Sequence, residues 1–436
     1  MRGDRRFFDC ETGSKCPLAL SSTLQNALLA HAAPFMKNPL LDYPSFLYFF
    51  LSRIATTMSN QMLMVAVGWQ MYEITRSAYD LGLVGLCQFL PSLALTLVVG
   101  QVADRYDRRK VLAWCLAAQL LVASGLVAAT IAGVVSRDII FMASVALGAA
   151  KAFQMPTQQA LGPLLVPPQV LPRALATNAA GGQAAIIVGP AIGGFLYVAG
   201  AQVVYLVCGL LFALAICMMA GIRLQHTPRQ HEPVSLKNLF AGIDFIWRRK
   251  PVLGAISLDL FAVLLGGAVA LLPIFVNEIL HVGAWGLGLL RSAPAAGALL
   301  MSVWLAQRPI QRRAGKVMFG AVALYGVATI VFALSTSFAL SLAALFFAGA
   351  SDMVSVVIRQ SLVQLDTPND MRGRVSAVNS IFIGASNQLG EFESGLTASW
   401  FGAVPSVLIG GIGTLVVVGT WIKLFPSLVQ REKLVV

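Results

Sequence analysis

The chain has 436 residues, of which 57% are hydrophobic and 11% charged, and its formal net charge is +12. Soluble domains carry roughly 25% charged residues, whereas this chain repeats apolar runs long enough to cross a bilayer as helices. The composition excludes a soluble enzyme, a disordered chain, a disulfide-rich secreted domain and a β-barrel, whose strands would alternate polar and apolar residues.

Other function classes are excluded by what the sequence lacks. The basic residues stand in short clusters between apolar runs, so no nucleic-acid partner is expected. The cysteines and histidines show no metal-ligand spacing, and no G-x-x-x-x-G-K-[ST] loop is present. We therefore expect no metal, no cofactor and no enzymatic activity.

The apolar runs predict an all-α membrane protein with twelve transmembrane helices in two six-helix halves. The predicted spans are 46–74, 79–103, 110–134, 138–166, 175–199, 201–222, 252–277, 285–307, 317–335, 339–365, 374–401 and 403–424.

The domain boundaries follow from these spans. Residues 1–45 form a predicted N-terminal tail, residues 46–222 the first half and residues 251–425 the second, followed by a C-terminal tail at 426–436. Between the halves lies a linker, 223–250, whose end has apolar residues at helical spacing and predicts an amphipathic helix on the membrane surface. Whether translation begins at the first methionine or at Met36 stays open.

Basic residues between the spans predict the orientation. With the N-terminus inside, the cytoplasmic connections carry seventeen of them and the external connections carry two, Arg76 and Arg137. The seventeen are Arg105, Arg108, Arg109, Lys110, Arg173, Arg223, Arg229, Lys237, Arg248, Arg249, Lys250, Arg308, Arg312, Arg313, Lys316, Arg372 and Arg374. The positive-inside rule then predicts that both termini are cytoplasmic.

The two halves resemble each other in sequence. At an offset of 201, Gly189 falls on Gly390 and Gly194 on Gly395, as do several polar loop residues. At an offset of 203, Gly85 falls on Gly288 and Pro91 on Pro294. A parallel repeat of two halves predicts a binding site at their interface, near the middle of the membrane.

A loop motif joins the second and third spans. Gly100, Asp104, Arg105, Arg108 and Arg109 resemble the signature G-x-x-x-D-R-x-G-R-[RK] of the major facilitator superfamily, with an aspartate where glycine is usual. The resemblance implies that the motif acts as a cytoplasmic gate in a transporter. Simple positive-inside anchoring is the alternative interpretation.

The fifth span carries a second motif. Gly189, Pro190, Gly193 and Gly194 resemble the G-P-x-x-G-G signature of the antiporter branch of that superfamily, although a packing role without antiport would also explain them. The stretch Gly384–Glu393 resembles the enterobactin-exporter-like branch, bacterial exporters of siderophores or drugs. At the offset of 201, Pro190 of the fifth span aligns with Glu391 of the eleventh span.

Charges inside the spans are candidates for function because each costs free energy in the bilayer. Spans 1, 4, 7 and 10 contain Arg53, Lys151, Asp259, Asp352 and Arg359, and the resemblance implies that these helices line the cavity.

Two polar stripes sharpen this prediction. Lys151, Gln154 and Gln158 share one face of span 4, and Asp352 and Arg359 lie at equivalent positions of span 10, offset by 201. Lys151 and Asp352 are therefore expected at equal depth with opposite charge, either as a structural ion pair or as transport residues. Arg53 with Asp259 forms a weaker candidate couple. Arg291 lies nearer a span end, where snorkelling would explain it.

The sequence as a whole predicts a proton antiporter of the bacterial inner membrane that exports an amphiphilic small molecule, a siderophore or a drug. Asp259, Asp352 and Glu391 are the candidate proton carriers, and Lys151, Arg53 and Arg359 are the candidate contacts for anionic groups. The partners expected are a small-molecule substrate, protons and the lipid bilayer, and the protein is expected to be a monomer. A proton-coupled importer of an organic anion, or a non-transporting receptor or scaffold, are the alternatives.

Overall fold

The structure is a computed structural model, and it describes residues 40, 42–223, 243–308, 310, 312–368 and 371–432, without the side chains of 96–105 and 377. The predicted N-terminal tail before residue 40 and most of the predicted surface helix of the linker lie outside the described residues.

Twelve long helices follow one another along the described chain, joined by short connections. They are α1 (Pro44–Thr75), α2 (Ala78–Arg105), α3 (Arg108–Ile131), α4 (Arg137–Leu161), α5 (Leu171–Tyr197), α6 (Ala201–Ala220), α7 (Lys250–Leu265), α8 (Gly283–Gln307), α9 (Ala314–Leu334), α10 (Phe338–Asp366), α11 (Arg372–Phe401) and α12 (Ala403–Leu424). A final turn, α13, spans Pro426–Val429.

Ten of the segments described are apolar and long enough to cross a membrane. Each corresponds to one of these helices, with α7 extended to Ile279. The two that fail this composition test are α1 and α11, which are long enough but too polar. Polar residues in a membrane bundle are expected to face its interior or a water-filled cavity rather than lipid, and we expect this of the polar residues of α1 and α11.

The helices alternate in direction, which gives the bundle two faces. Ser45 at the start of α1 accepts a hydrogen bond from the backbone of Arg223 after α6, at 3.2 Å. We call this side, where α1 begins and α12 ends, the terminal face, and the other side the opposite face. On the opposite face, Gly200 and Gly402 link α5 to α6 and α11 to α12 with φ of +108° and +91°, which glycine adopts without steric cost.

The seventh span is not the single helix that the sequence predicted over 252–277. The α-helix ends at Leu265, and the chain continues through Gly266 and Gly267 into a 3₁₀ turn and then a π-helical turn, Phe275–Ile279. The tandem glycines lack the side chains that stabilise a helix, and Gly267 lies against the backbone of Gly390 on α11.

The two halves meet along two pairs of helices. Helix α5 of the first half packs on α8 of the second, and α2 of the first packs on α11 of the second. The twelve-helix architecture in two pseudo-symmetric halves, predicted from the sequence, is confirmed.

Candidate functional site

Side-chain contacts between the halves close the opposite face. Tyr72 at the end of α1 donates a hydrogen bond to the carboxylate of Glu278 in the π-helical turn. Beside it, Arg76 donates to Asn277 Oδ1 at 3.0 Å, and its guanidinium lies over the ring of Tyr72. These polar contacts form what we call the latch.

Aromatic pairs and glycines continue this closure towards the middle of the bundle. Tyr79 packs edge-on against Phe392, and Phe195 stacks on Trp285. The backbone of α2 touches α11 at Gly82, and α5 touches α8 at Gly194, where an added Cβ would meet backbone atoms of the other half. Small residues allow such close helix approach.

Towards the terminal face, the described side chains are less tightly joined. One hydrogen bond joins the halves there among the described residues, from Gln183 of α5 to the carbonyl of Ala295 of α8, at 3.3 Å. Beyond it, a Cβ added to exposed Gly384 on α11 would meet nothing. A groove of 640 Å³ opens between α10 and α11, and its lining includes Gln360, Gln364, Ser376, Asn379 and Ser380. The described side chains therefore join the two halves more tightly at the opposite face than at the terminal face.

Three charged side chains from three helices lie near the interface between the halves. Glu391 of α11 points at α2, where its Oε2 would be 2.8 Å from a Cβ on Gly85. One turn further along α2, Gln88 accepts a hydrogen bond from Lys151 Nζ of α4, at 3.2 Å. Arg291 of α8 interacts electrostatically with both Glu391 and Lys151. We call Lys151, Arg291 and Glu391 the interface cluster.

A second charged group lies within the second half alone. Asp259 of α7 and Arg359 of α10 form a buried ion pair, with side chains 7% and 3% exposed. Asp352, two turns before Arg359, interacts electrostatically with both, but no hydrogen bond or ion pair within 4.0 Å joins it to another described residue. We call Asp259, Asp352 and Arg359 the C-half cluster.

Two predicted pairings are not found in this structure. Lys151 and Asp352 do not pair, because Lys151 bonds to Gln88 of its own half and Asp352 lies beside the buried Asp259–Arg359 pair. The couple of Arg53 with Asp259 is likewise absent. The partner of Asp259 is Arg359, and Arg53 has no hydrogen bond or ion pair with a described residue.

The predicted stripe on α4 also divides between two surroundings. Gln154 is buried and accepts a hydrogen bond from Gln119 of α3 at 2.7 Å, so it faces a neighbouring helix of its own half. Gln158, half-buried, stays a candidate contact.

Arg291 is the main residue that the sequence interpretation misjudged. Its Nη2 lies 3.8 Å from Met64 Sδ on α1, so the side chain crosses the interface instead of snorkelling to the membrane surface. The sequence repeat contained a signal for this position. At the offset of 203, Arg291 aligns with Gln88, which indicates an interior position.

Comparison with known proteins identifies the family. The model of the Major Facilitator Superfamily matches residues 49–390, well over half of the chain. The chain belongs to the major facilitator superfamily. It is a multi-pass membrane transporter rather than an enzyme.

Among curated relatives, the enterobactin exporter EntS of Citrobacter koseri is 25% identical over 398 residues, which are 90% of this chain and 94% of that protein. EntS of Escherichia coli O1:K1 is also 25% identical, over 86% of this chain and 87% of its own.

Two solved structures share the fold of this major facilitator protein at low sequence identity. A bacterial homologue of the human lysosomal transporter Spinster, inward-facing and occupied, superposes with a TM-score of 0.71 at 13% identity, covering 90% of this chain and 98% of that one. A bacterial homologue of the iron transporter ferroportin, inward-facing, gives 0.70 at 16% identity, covering 90% and 100%.

The superfamily loop motif is described in part. Helix α2 includes Gly100, Asp104 and Arg105, whose side chains lie outside the described part. Arg108 donates to the carbonyl of Ala160 at 3.3 Å, which ties the loop to the end of α4.

The aspartate that departs from the motif has a local structural role. Asp107 caps α3 by accepting from the backbone N–H of Arg109 at 2.9 Å, and it pairs with the guanidinium of Arg109 at 3.1 Å. Burial alone would raise the pKa of Asp107, but the bonds from Arg109 outweigh it and hold this pKa below its ordinary value. Arg109 also donates to the carbonyl of Ile222 at 2.7 Å, which fixes the end of α6.

The antiporter-type motif packs α5 against two helices. An added Cβ on Gly189 or Gly193 would meet α1, and one on Gly194 would meet α8 of the other half. The carbonyl of Pro190 faces Gly288. The motif thus supplies close packing on both sides of α5, the role expected of small residues.

Proposed function

We propose that this protein exports an amphiphilic small molecule, a siderophore or a drug-like compound, by proton antiport and alternating access. The supporting observation is the pair of charged clusters beneath the closed opposite face, in a bundle whose described side chains join the halves less tightly towards the terminal face. Charged groups in the membrane interior are costly, and they mark substrate and proton pathways. The relatives named as enterobactin exporters favour export, and enterobactin is our first candidate substrate.

The orientation is part of the proposal. In a bacterial inner membrane with both termini in the cytoplasm, the terminal face is the side from which an exporter loads its substrate. The gate motif with Asp104 would then close that side in the other state, and a monomer contains all the residues that the cycle requires.

Asp352 and Glu391 are the proton carriers best placed for this role. Asp259 is held by Arg359, whereas Asp352 has no direct partner among the described residues. A carboxylate free of a fixed partner can take up and release a proton without breaking an ion pair.

One observation favours a second candidate, import of an organic anion by proton symport. The interface cluster has two cations and one carboxylate, so a proton on Glu391 would free both cations for an anion. Uptake of proton and anion together is the signature of symport.

Transport by the purified protein in proteoliposomes separates these candidates. With vesicles sorted by orientation, an exporter accumulates enterobactin in inside-out vesicles whose lumen is acid, and Asp352→Asn abolishes the response to the gradient. Lys110→Gln, an exposed charge on the terminal face, is the control. Accumulation in right-side-out vesicles under external acid would overturn export in favour of symport, and no gradient-driven movement of enterobactin or of organic anions would overturn both.

A further inference from the structure

We propose that Lys151 and Arg291, one from each half, bind the anionic group of the substrate. When no substrate is bound, the carboxylate of Glu391 partly compensates their positive charge. The inference rests on the proposed transport function for its biological meaning, but it does not depend on the direction of transport. It assigns a role to Arg291 and a chemical class to the substrate.

The three side chains extend from three helices towards the interface between the halves. Arg291 crosses from α8 to Met64 of α1, at 3.8 Å, and Lys151 reaches from α4 to Gln88 of α2, at 3.2 Å. The carboxylate of Glu391 lies against Gly85, which is one turn from Gln88 on α2. The site is therefore built from both halves, as alternating access requires of a substrate contact.

The charges of this place do not balance. Lys151 and Arg291 carry two positive charges against the single carboxylate of Glu391, and no nitrogen and oxygen of the three lie within 4.0 Å of each other. An uncompensated charge away from bulk water is unfavourable, so a second anion is attracted to this place.

The other interior cations are less suited to this role. The buried ion pair with Asp259 already neutralises Arg359. Arg53 lies nine residues into α1, towards the terminal face. Among the described side chains, Lys151 and Arg291 are therefore the cations best placed for an anion at the interface.

An unpartnered polar atom beside the cluster narrows the ligand class. Gln388 Oε1 is buried without a hydrogen-bond partner among the described residues, and it lies 3.5 Å from the same Cβ position on Gly85 that Glu391 Oε2 approaches. A buried acceptor without a donor costs free energy. In a ligand with a hydroxyl next to its anionic group, the hydroxyl would donate to Gln388 Oε1 and the anionic group would bind the two cations. This indicates a hydroxylated organic anion such as a hydroxy-aromatic carboxylate.

The test compares an anion with its neutral twin. Salicylate and salicylamide differ in charge but share the ring and the neighbouring hydroxyl, and their binding to the full chain in lipid nanodiscs can be measured by equilibrium dialysis without any gradient. We expect wild type to bind salicylate more tightly than salicylamide. Lys151→Gln and Arg291→Gln should each weaken salicylate roughly tenfold or more, as expected for loss of a charge-assisted contact, and leave salicylamide within about threefold.

Two further variants separate charge from folding. Glu391→Gln has nearly the same shape and should strengthen salicylate binding, since it removes the competing carboxylate. Arg291→Lys should recover part of the affinity that Arg291→Gln loses, and Lys110→Gln should change nothing. A variant set in which Glu391→Gln weakens binding as the others do would indicate a structural role and overturn the proposal.

The remaining outcomes also decide. Equal affinity of wild type for the two probes, equal losses for both, or no binding of either would overturn the anion site. The predicted binding pattern in a protein that shows no gradient-driven transport would instead refute the proposed function and leave the site standing.

Discussion

The carboxylate of Glu391 lies against the bare backbone of Gly85 on the other half of the protein. The repeat places Glu391 on Pro190 and Gly85 on Gly288, and the carbonyl of Pro190 indeed faces Gly288 at the equivalent contact. The two interfaces between the halves are thus built alike, but one of them has an acidic side chain where the other has a proline. The asymmetry gives one interface a group that can change charge.

We predict that Gly85→Ala impairs transport, because the added methyl group occupies the place of the Glu391 carboxylate. Vesicle transport should fall severalfold while the protein still inserts and purifies as a folded species. Gly125→Ala is the matched control, since an added Cβ there meets nothing. Unchanged transport in Gly85→Ala would show that the position of this carboxylate is unimportant.

The sequence predicted which helices carry charge, because apolar runs and charges are properties of the linear chain. Partners were harder to predict. Lys151 and Asp352 are equivalent in the repeat, yet their side chains find different neighbours, since the rotation of each helix depends on packing around it. Gln154 shares the stripe of Lys151 but bonds to Gln119 on α3.

The sequence interpretation estimated the depth of a residue in the membrane from its distance to the end of its helix, and this estimate was wrong for Arg291. Arg291 is near the start of α8, but the neighbouring helices extend past it, so that Met64 rather than solvent lies at the tip of its side chain. Neither the break in α7 at Gly266 and Gly267 nor the latch at Glu278 was predicted, because both depend on contacts between distant parts of the chain.

We predict that the latch holds the opposite face closed. Tyr72→Phe removes one hydrogen bond to Glu278, worth about 1 kcal/mol, which is a roughly fivefold change in population. Spin labels on exposed loop residues Val134 and Thr336, one in each half, should then report a larger fraction of long distances.

The matched control for the latch lies on the same face. Arg137 pairs with Asp80 at 2.6 Å, but both belong to the first half. Arg137→Gln should leave the distance distribution as it is. If both variants shift the distribution alike, the effect belongs to the loops of this face and not to the latch.

We predict that the terminal face is cytoplasmic, because the sequence assigns seventeen basic residues to the connections of that side and two to the connections of the other. Single cysteines at Val134 and at Val436, in a background without the native cysteines, should differ in their reaction with a membrane-impermeant maleimide in intact cells. The first should react and the second should react only after lysis. The reverse pattern would invert the topology and, with it, the side from which the proposed exporter would load its substrate.

The last prediction concerns the ion pair of Asp259 and Arg359, whose side chains are 7% and 3% exposed. Asp259→Asn leaves a buried guanidinium without its counter-charge, which typically costs about 3–5 kcal/mol. The thermal midpoint of the purified protein should therefore fall markedly. Replacing both partners at once, by Asp259→Leu with Arg359→Met, should recover most of that stability, since apolar residues of similar volume can substitute for a buried pair.

Asp352→Asn is the comparison that gives this series its meaning. Asp352 has no direct partner among the described residues. The Asp352→Asn variant should therefore unfold near the wild-type temperature, while its transport loses its dependence on the proton gradient. If Asp352→Asn is as unstable as Asp259→Asn, the two carboxylates share one structural role and the division between an ion pair and a proton carrier is wrong. If Asp259→Asn is stable, the ion pair contributes little to the fold, and Asp259 returns to the proton carriers as an equal of Asp352.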